Sequence, residues 1–134
     1  MSQSYSVYSL IDVSYSKEVV ENILVKGQAL GFVYEDNFLK LKIGIAPLNL
    51  TEAVNFTVSS ELPSIFVDYQ DTNFSLLIYD GKPYTSIMFL SFGEGWKKKY
   101  VNQSDEGYEM HRYAKLMLDL IEDFKIIEFK LDFY

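Results

Sequence analysis

The spacing of apolar and polar positions changes several times along this chain, and each change marks an element. Residues 5–13 (Tyr5 to Val13) are rich in β-formers and read as a first strand. From Lys17 to Leu30 the period is helical, with Val19, Val20, Ile23, Leu24 and Leu30 on one side. Ser16 stands where an N-cap is needed, and Gly31 supplies the left-handed residue that stops the helix. Phe32 to Tyr34 opens an extended segment, and Glu35-Asp36-Asn37 turns it. Phe38 to Ala46 then alternates, with Leu39, Leu41, Ile43 and Ile45 against Phe38, Lys40, Lys42 and Gly44, as in a strand with one buried face. Pro47 ends that strand, and Asn49 with Glu52 forms a capping box for a short helix to about Ser59. Val54, Phe56, Thr57 and Val58 also suit a strand, so residues 50–59 carry two readings.

The middle third reads as an antiparallel meander over residues 64–101. Ser64 to Tyr69, Phe74 to Tyr79 and Tyr84 to Phe92 are β-rich runs separated by short polar turns. Asp80-Gly81 is a hairpin signal, because a tight turn there calls for positive φ. Gly93-Glu94-Gly95 turns into a further strand, Trp96 to Val101. Leu76-Leu77-Ile78 and Ile87-Met88-Phe89-Leu90 are nearly continuous apolar runs, which places these strands centrally with helices on at least one face. After the loop Asn102 to Gly107, Tyr113, Leu116, Met117, Leu120, Ile121 and Phe124 fall at helical spacing in a helix over 108–124. Ile126 to Tyr134 alternates again and reads as the last strand. The expected fold is a single α+β domain: a mostly antiparallel sheet of about six strands, with two main helices (17–30 and 108–124) packed on one side.

Composition narrows the chemistry. The chain has 134 residues, no cysteine and one histidine, so disulfides, thiolate catalysis and Cys-ligated metals are excluded. The first residues, Met-Ser-Gln-Ser-Tyr-Ser, have neither the basic nor the apolar part of a secretion signal, and the apolar run Ser86–Phe92 is too short to span a bilayer. A cytoplasmic location with no membrane partner is the expectation. Net charge is −7, a field that repels nucleic acid and steers a basic protein.

His111 lacks a second histidine and any H-E-x-x-H or nucleophile-elbow context, so a helix-surface role is the economical reading. Gly93-Glu94-Gly95 leads into a strand rather than a helix N-terminus and reads as a turn, not a phosphate cradle. Lys97-Lys98-Lys99, flanked by Trp96 and Tyr100, reads as a solvated edge strand. No catalytic residue, metal ligand or cofactor is assigned. Asp119, Glu122 and Asp123, spaced i, i+3, i+4, would share a stripe near a helix C-terminus, where carboxylates oppose the helix dipole. Eleven tyrosines suggest a binding surface, and Tyr69 with Asp68, Asp71 and Asp80 makes a second candidate patch.

A small acidic domain without catalytic machinery is expected to bind a protein, and a basic one. The most concrete form is an immunity protein that neutralises a basic bacterial toxin, such as a nuclease, by occluding its active site. Two alternatives stay open: a secretion chaperone or adaptor acting as a homodimer, and a small-ligand or enzymatic domain with a pocket between sheet and helices. Both monomer and homodimer are compatible with the sequence.

Overall fold

The computed structural model describes residues 4–35, 47–59, 64–70, 72–92 and 103–133. The expected strands over 38–46 and 96–101, the turn at 93–95, the lysine cluster at 97–99 and Asp71 lie outside the described residues.

The chain order is β1 (Ser4–Ile11), α1 (Lys17–Leu30), β2 (Val33–Glu35), α2 (Leu50–Ser59), β3 (Ser64–Tyr69), β4 (Thr72–Gly81), β5 (Tyr84–Phe92), α3 (Gln103–Leu120) and β6 (Ile126–Phe133). The strands form one six-stranded sheet in the order β2-β3-β4-β5-β1-β6, with every neighbouring pair antiparallel. The fold is therefore α+β, and the two apolar runs in β4 and β5 do occupy the centre.

Local chemistry explains the helices. Ser16 is extended and its hydroxyl accepts the Val19 N–H at 3.2 Å, which begins α1. Gly31 ends it with φ 106°. The Gly31 N–H reaches the Gln28 carbonyl at 3.0 Å and the Phe32 N–H reaches Gly27 at 2.9 Å, the paired closing bonds of a Schellman cap. Asn49 and Glu52 bond reciprocally, Asn49 N–H to Glu52 Oε1 at 3.0 Å and Glu52 N–H to Asn49 Oδ1 at 2.8 Å. Residues 50–59 are thus helical: the capping box outweighs the local β preference of Val54, Phe56 and Val58.

The largest differences from the sequence expectation are at one turn and one helix. The β4–β5 turn is Lys82-Pro83, joined by a cis peptide, rather than Asp80-Gly81. Gly81 stays in the strand, opposite Tyr84, and has no positive φ. Its role is close approach, since a Cβ there would lie 2.3 Å from Ser86 Oγ and 2.9 Å from Leu10 Cδ1. The last helix starts five residues earlier than 108 and ends at Leu120 rather than Phe124. Residues 121–125 serve as a connection, in which the Lys125 carbonyl accepts the Asp12 N–H at 2.8 Å and so ties the start of β6 to the end of β1.

The helices pack on one side of the sheet. Val19, Val20, Ile23 and Leu24 of α1, Ala53 and Val54 of α2, and Tyr113, Leu116, Met117 and Leu120 of α3 share one core with Val7, Ile11, Ile65, Val67, Phe74, Leu76, Ile78, Ile87 and Phe89. Ser9 sits among these inward strand residues, fully buried, between Ile87 and Phe129 on the neighbouring strands. Its hydroxyl is the one buried side-chain polar atom without a hydrogen bond among the described residues. An unpaired buried hydroxyl carries a desolvation cost without a return. Ser9→Ala is accordingly expected to raise stability by about 0.5–1 kcal/mol, read as a higher urea midpoint at unchanged m-value.

Candidate functional site

Because paired residues in an antiparallel sheet share a face, the register defines the side opposite the helices. That side carries Ser6, Tyr8 and Leu10 from β1, Ser86, Met88 and Leu90 from β5, and Ser75, Leu77 and Tyr79 from β4. Phe66 and Asp68 of β3, Val33 and Glu35 of β2, and Glu128, Lys130 and Asp132 of β6 lie on it as well. Tyr8, Leu10, Phe66, Leu77, Tyr79, Met88 and Leu90 are all half-buried there, with no described helix over them. The three serines are the buried floor between these larger side chains.

Hydroxyls and charges are organised on this face. Tyr8 Oη lies 3.4 Å from Ser86 Oγ. Burial, with Tyr8 nearby, pushes the Tyr79 hydroxyl above its ordinary pKa, while a hydrogen bond with Ser86 pulls the other way. Lys130 Nζ stands 5.6 Å from the centre of the Tyr8 ring and 2.9 Å from Glu128 Oε1. The rim is acidic: among the described strand residues of this face, Glu35, Asp68, Glu128 and Asp132 stand against one cation, Lys130.

A second feature lies on the helix side, where α3 passes the β3–β4 turn. Tyr69, His111, Arg112, Lys115, Leu116 and Asp119 line an open cleft of about 380 Å³. The Arg112 guanidinium donates to Gln70 Oε1 and stands over the Tyr69 and Tyr113 rings, 5.6 and 5.7 Å from their centres. Gln70 holds a left-handed conformation, φ 58°, because the Tyr69–Thr72 pair leaves only two residues for the turn. Among the described residues the lining of this cleft carries the cations Arg112 and Lys115 and the carboxylate Asp119.

Of the acidic residues singled out from sequence, Asp119, Glu122 and Asp123 all lie near Lys26, whereas Asp68 and Asp80 lie elsewhere on the sheet. Asp119 is on α3 and lines the cleft with Tyr69, whereas Glu122 and Asp123 lie beyond the helix end, in the turn. Glu122 accepts a hydrogen bond from Lys26 of α1. That bond, with the charges of Glu122, Asp123 and Asp119 around it, raises the Lys26 pKa against the opposing effect of desolvation. Lys26, from another helix, is a cation that faces this cluster. Asp68 belongs to the helix-free face. Asp80 is at the opposite end of the sheet, where its carboxylate accepts the Lys82 N–H at 3.0 Å. Burial, and then the Asp80 charge, raise the pKa of the partly buried Tyr15 hydroxyl. Among the described residues no three or more His, Cys, Asp or Glu side chains gather as a metal site, and no helix is long and apolar enough to cross a membrane.

Sequence reading had no means of placing Arg112 and Gln70 together, since they are 42 positions apart. The helix-free face did leave a signal, the shared order of a serine followed by larger apolar residues at alternate positions in β1, β4 and β5. No protein-family model matches the chain, and neither a curated protein nor a solved structure matches it.

Proposed function

We propose that this chain is a binding module for a basic protein, which it receives on the helix-free face of its sheet. The observation that carries the reading is the composition of that face: half-exposed Tyr8, Phe66, Leu77, Tyr79, Met88 and Leu90, rimmed by Glu35, Asp68, Glu128 and Asp132. Large apolar and tyrosine side chains bordered by charge are the makings of an interface, whose centre supplies most of the affinity. The net charge of −7 draws a cationic partner in, and the rim carboxylates set its orientation. The most concrete form is an immunity protein. Its face would cover the active site of a basic bacterial toxin, such as a nuclease, and its carboxylates would take the place of the acidic substrate.

The test begins with capture from the source cell on the immobilised chain, followed by titration of the captured protein. Met88→Lys with Leu77→Lys puts two cations on the centre of the face and is expected to weaken binding at least ~100-fold without unfolding the chain. Undiminished affinity in that variant would sink the reading. A stoichiometric loss of the captured protein's enzymatic activity would single out the immunity form.

The cleft at Tyr69, His111, Arg112, Lys115 and Asp119 favours a second reading, a site for a small anionic ligand. Arg112→Ala with Lys115→Ala separates the two, because it removes the cleft's cations and leaves the helix-free face intact.

A further inference from the structure

β6 is an edge. It pairs with β1 on one side, and among the described residues no strand pairs with its other side. An eight-residue strand with open N–H and C=O groups is a template for another strand. Of the devices that blunt edges, β6 has outward charges and one ladder irregularity beside Ile127, but no proline and no charge turned towards the core. Phe129 and Leu131, opposite the inward Ser9 and Val7, face the helix side, Ile127 falls at the shift in the ladder, and Ile127 and Leu131 are 41% and 45% exposed. Its charges, Glu128, Lys130 and Asp132, all fall on the helix-free side.

We propose that a second copy of this chain covers this edge, β6 against β6 antiparallel, with the two-fold axis at Phe129. The charge sequence selects that register. Centring on Phe129 sets Glu128 opposite the partner's Lys130 and Lys130 opposite the partner's Glu128. The same register sets Ile127 opposite the partner's Leu131, so two exposed apolar residues of the strand meet. Centring on Lys130 would oppose Lys130 to itself and Glu128 to the partner's Asp132, and centring on Glu128 would oppose that carboxylate to itself. Like charges directly opposite destabilise a strand pair. Centring on Leu131 sets Lys130 against the partner's Asp132 but parts Ile127 from the partner's Leu131. The irregularity in the β1–β6 ladder falls beside Ile127, outside the Glu128–Lys130 segment on which the charge match rests. Within one copy Lys130 already pairs with Glu128 at 2.9 Å, and both stay substantially exposed, at 56% and 41%, so the two groups are free to exchange partners across the axis.

The pairing would join the two helix-free faces into one continuous surface, and it stands whether or not that surface receives a basic protein. Sedimentation velocity on the full chain is expected to show a concentration-dependent dimer. Lys130→Glu turns two attractive cross-strand pairs into repulsive ones and is expected to weaken the dimer at least ~10-fold. The exchange Glu128→Lys with Lys130→Glu restores both pairs and is expected to restore the dimer. Circular dichroism establishes that each variant is folded. A chain that sediments as a monomer at every concentration, or a dimer indifferent to Lys130→Glu, overturns the proposal. Rescue by Lys130→Glu with Asp132→Lys, and not by the Glu128–Lys130 exchange, overturns the register.

Discussion

Replacing Phe74 by alanine is expected to cost about 4 kcal/mol, because its buried ring joins three others in the aromatic cluster between sheet and helices. Phe74 lies on β4 and is 3% exposed. Its ring centre lies 4.7 Å from Phe89, 5.6 Å from Phe32 and 5.6 Å from Tyr113, with the last two edge-on. Deletion removes the transfer energy of a whole ring and leaves a cavity that β-strand neighbours on both sides cannot close. The edge-on contacts add roughly 0.5–1.5 kcal/mol per pair beyond area burial. Since a domain of this kind holds roughly 5–15 kcal/mol in total, the variant should be marginally folded at room temperature. Phe74→Leu keeps part of the contact and should lose about half as much. The effect also reaches the cleft. Tyr113 and, through Phe32, Tyr69 rest on this cluster, and Arg112 stands over both rings. Near-ultraviolet circular dichroism of Phe74→Leu should therefore show disturbed tyrosine packing before global stability is lost, and urea unfolding of both variants gives the magnitudes.

Those elements whose determinants are local were legible from sequence. Ser16 and Gly31 bracket α1 because a hydroxyl cap and a left-handed glycine are decided within a few residues. Asn49 and Glu52 settled an ambiguous segment by the same short-range logic. The three meander strands over 64–92 followed from β-rich runs between polar turns, and the two most apolar are central, as their continuous runs implied. The elements that were misplaced are those that tertiary contacts decide. Asp80-Gly81 has the composition of a tight turn, yet Leu10 and Ser86 leave no room for a Cβ at Gly81, so the glycine is used for approach and the turn moves to Lys82-Pro83. The apolar spacing of α3 continues to Phe124, but pairing of β6 with β1 draws the chain out of the helix after Leu120.

The candidate site divides the same way. The acidic cluster of Asp119, Glu122 and Asp123 was found by counting along a helix that stops too soon, and its charge is met by Lys26 from another helix, which no local pattern could announce. Tyr69 was singled out for its side-chain type and does line the cleft, but its neighbours Arg112 and Asp119 come from an element more than forty residues later. The helix-free face is the more instructive case. Its residues were present in the alternation of β1, β4 and β5, but which phase of that alternation faces the helices is settled only when the sheet and the helices are assembled.

Gly27→Ala is the second severe substitution, and it runs against helix propensity. In the interior of a solvated helix the change would stabilise by about 1 kcal/mol. Here a Cβ on Gly27 would lie 2.1 Å from the Tyr34 hydroxyl and 2.7 Å from Phe32 Cδ2. The missing side chain is what lets β2 fold back onto α1: Phe32 donates its N–H to the Gly27 carbonyl, and Tyr34 donates its hydroxyl to the Leu24 carbonyl at 2.6 Å. Tyr34 is 1% exposed, and burial holds its hydroxyl protonated far above the ordinary tyrosine range, so it serves as a fixed donor. Alanine must displace both rings and break the buried bond, and overpacking of up to about 3 kcal/mol with a lost hydrogen bond of about 1 kcal/mol outweighs the propensity gain. The expected net loss is about 3 kcal/mol. A double-mutant cycle with Tyr34→Phe assigns the cause. Removing the hydroxyl takes away the tightest contact, so the double variant should be more stable than the two single losses predict by ~1 kcal/mol or more. Strict additivity in urea unfolding would show that Tyr34 is not the group Gly27 accommodates, and would leave Phe32 as the ring for which the helix is kept bare.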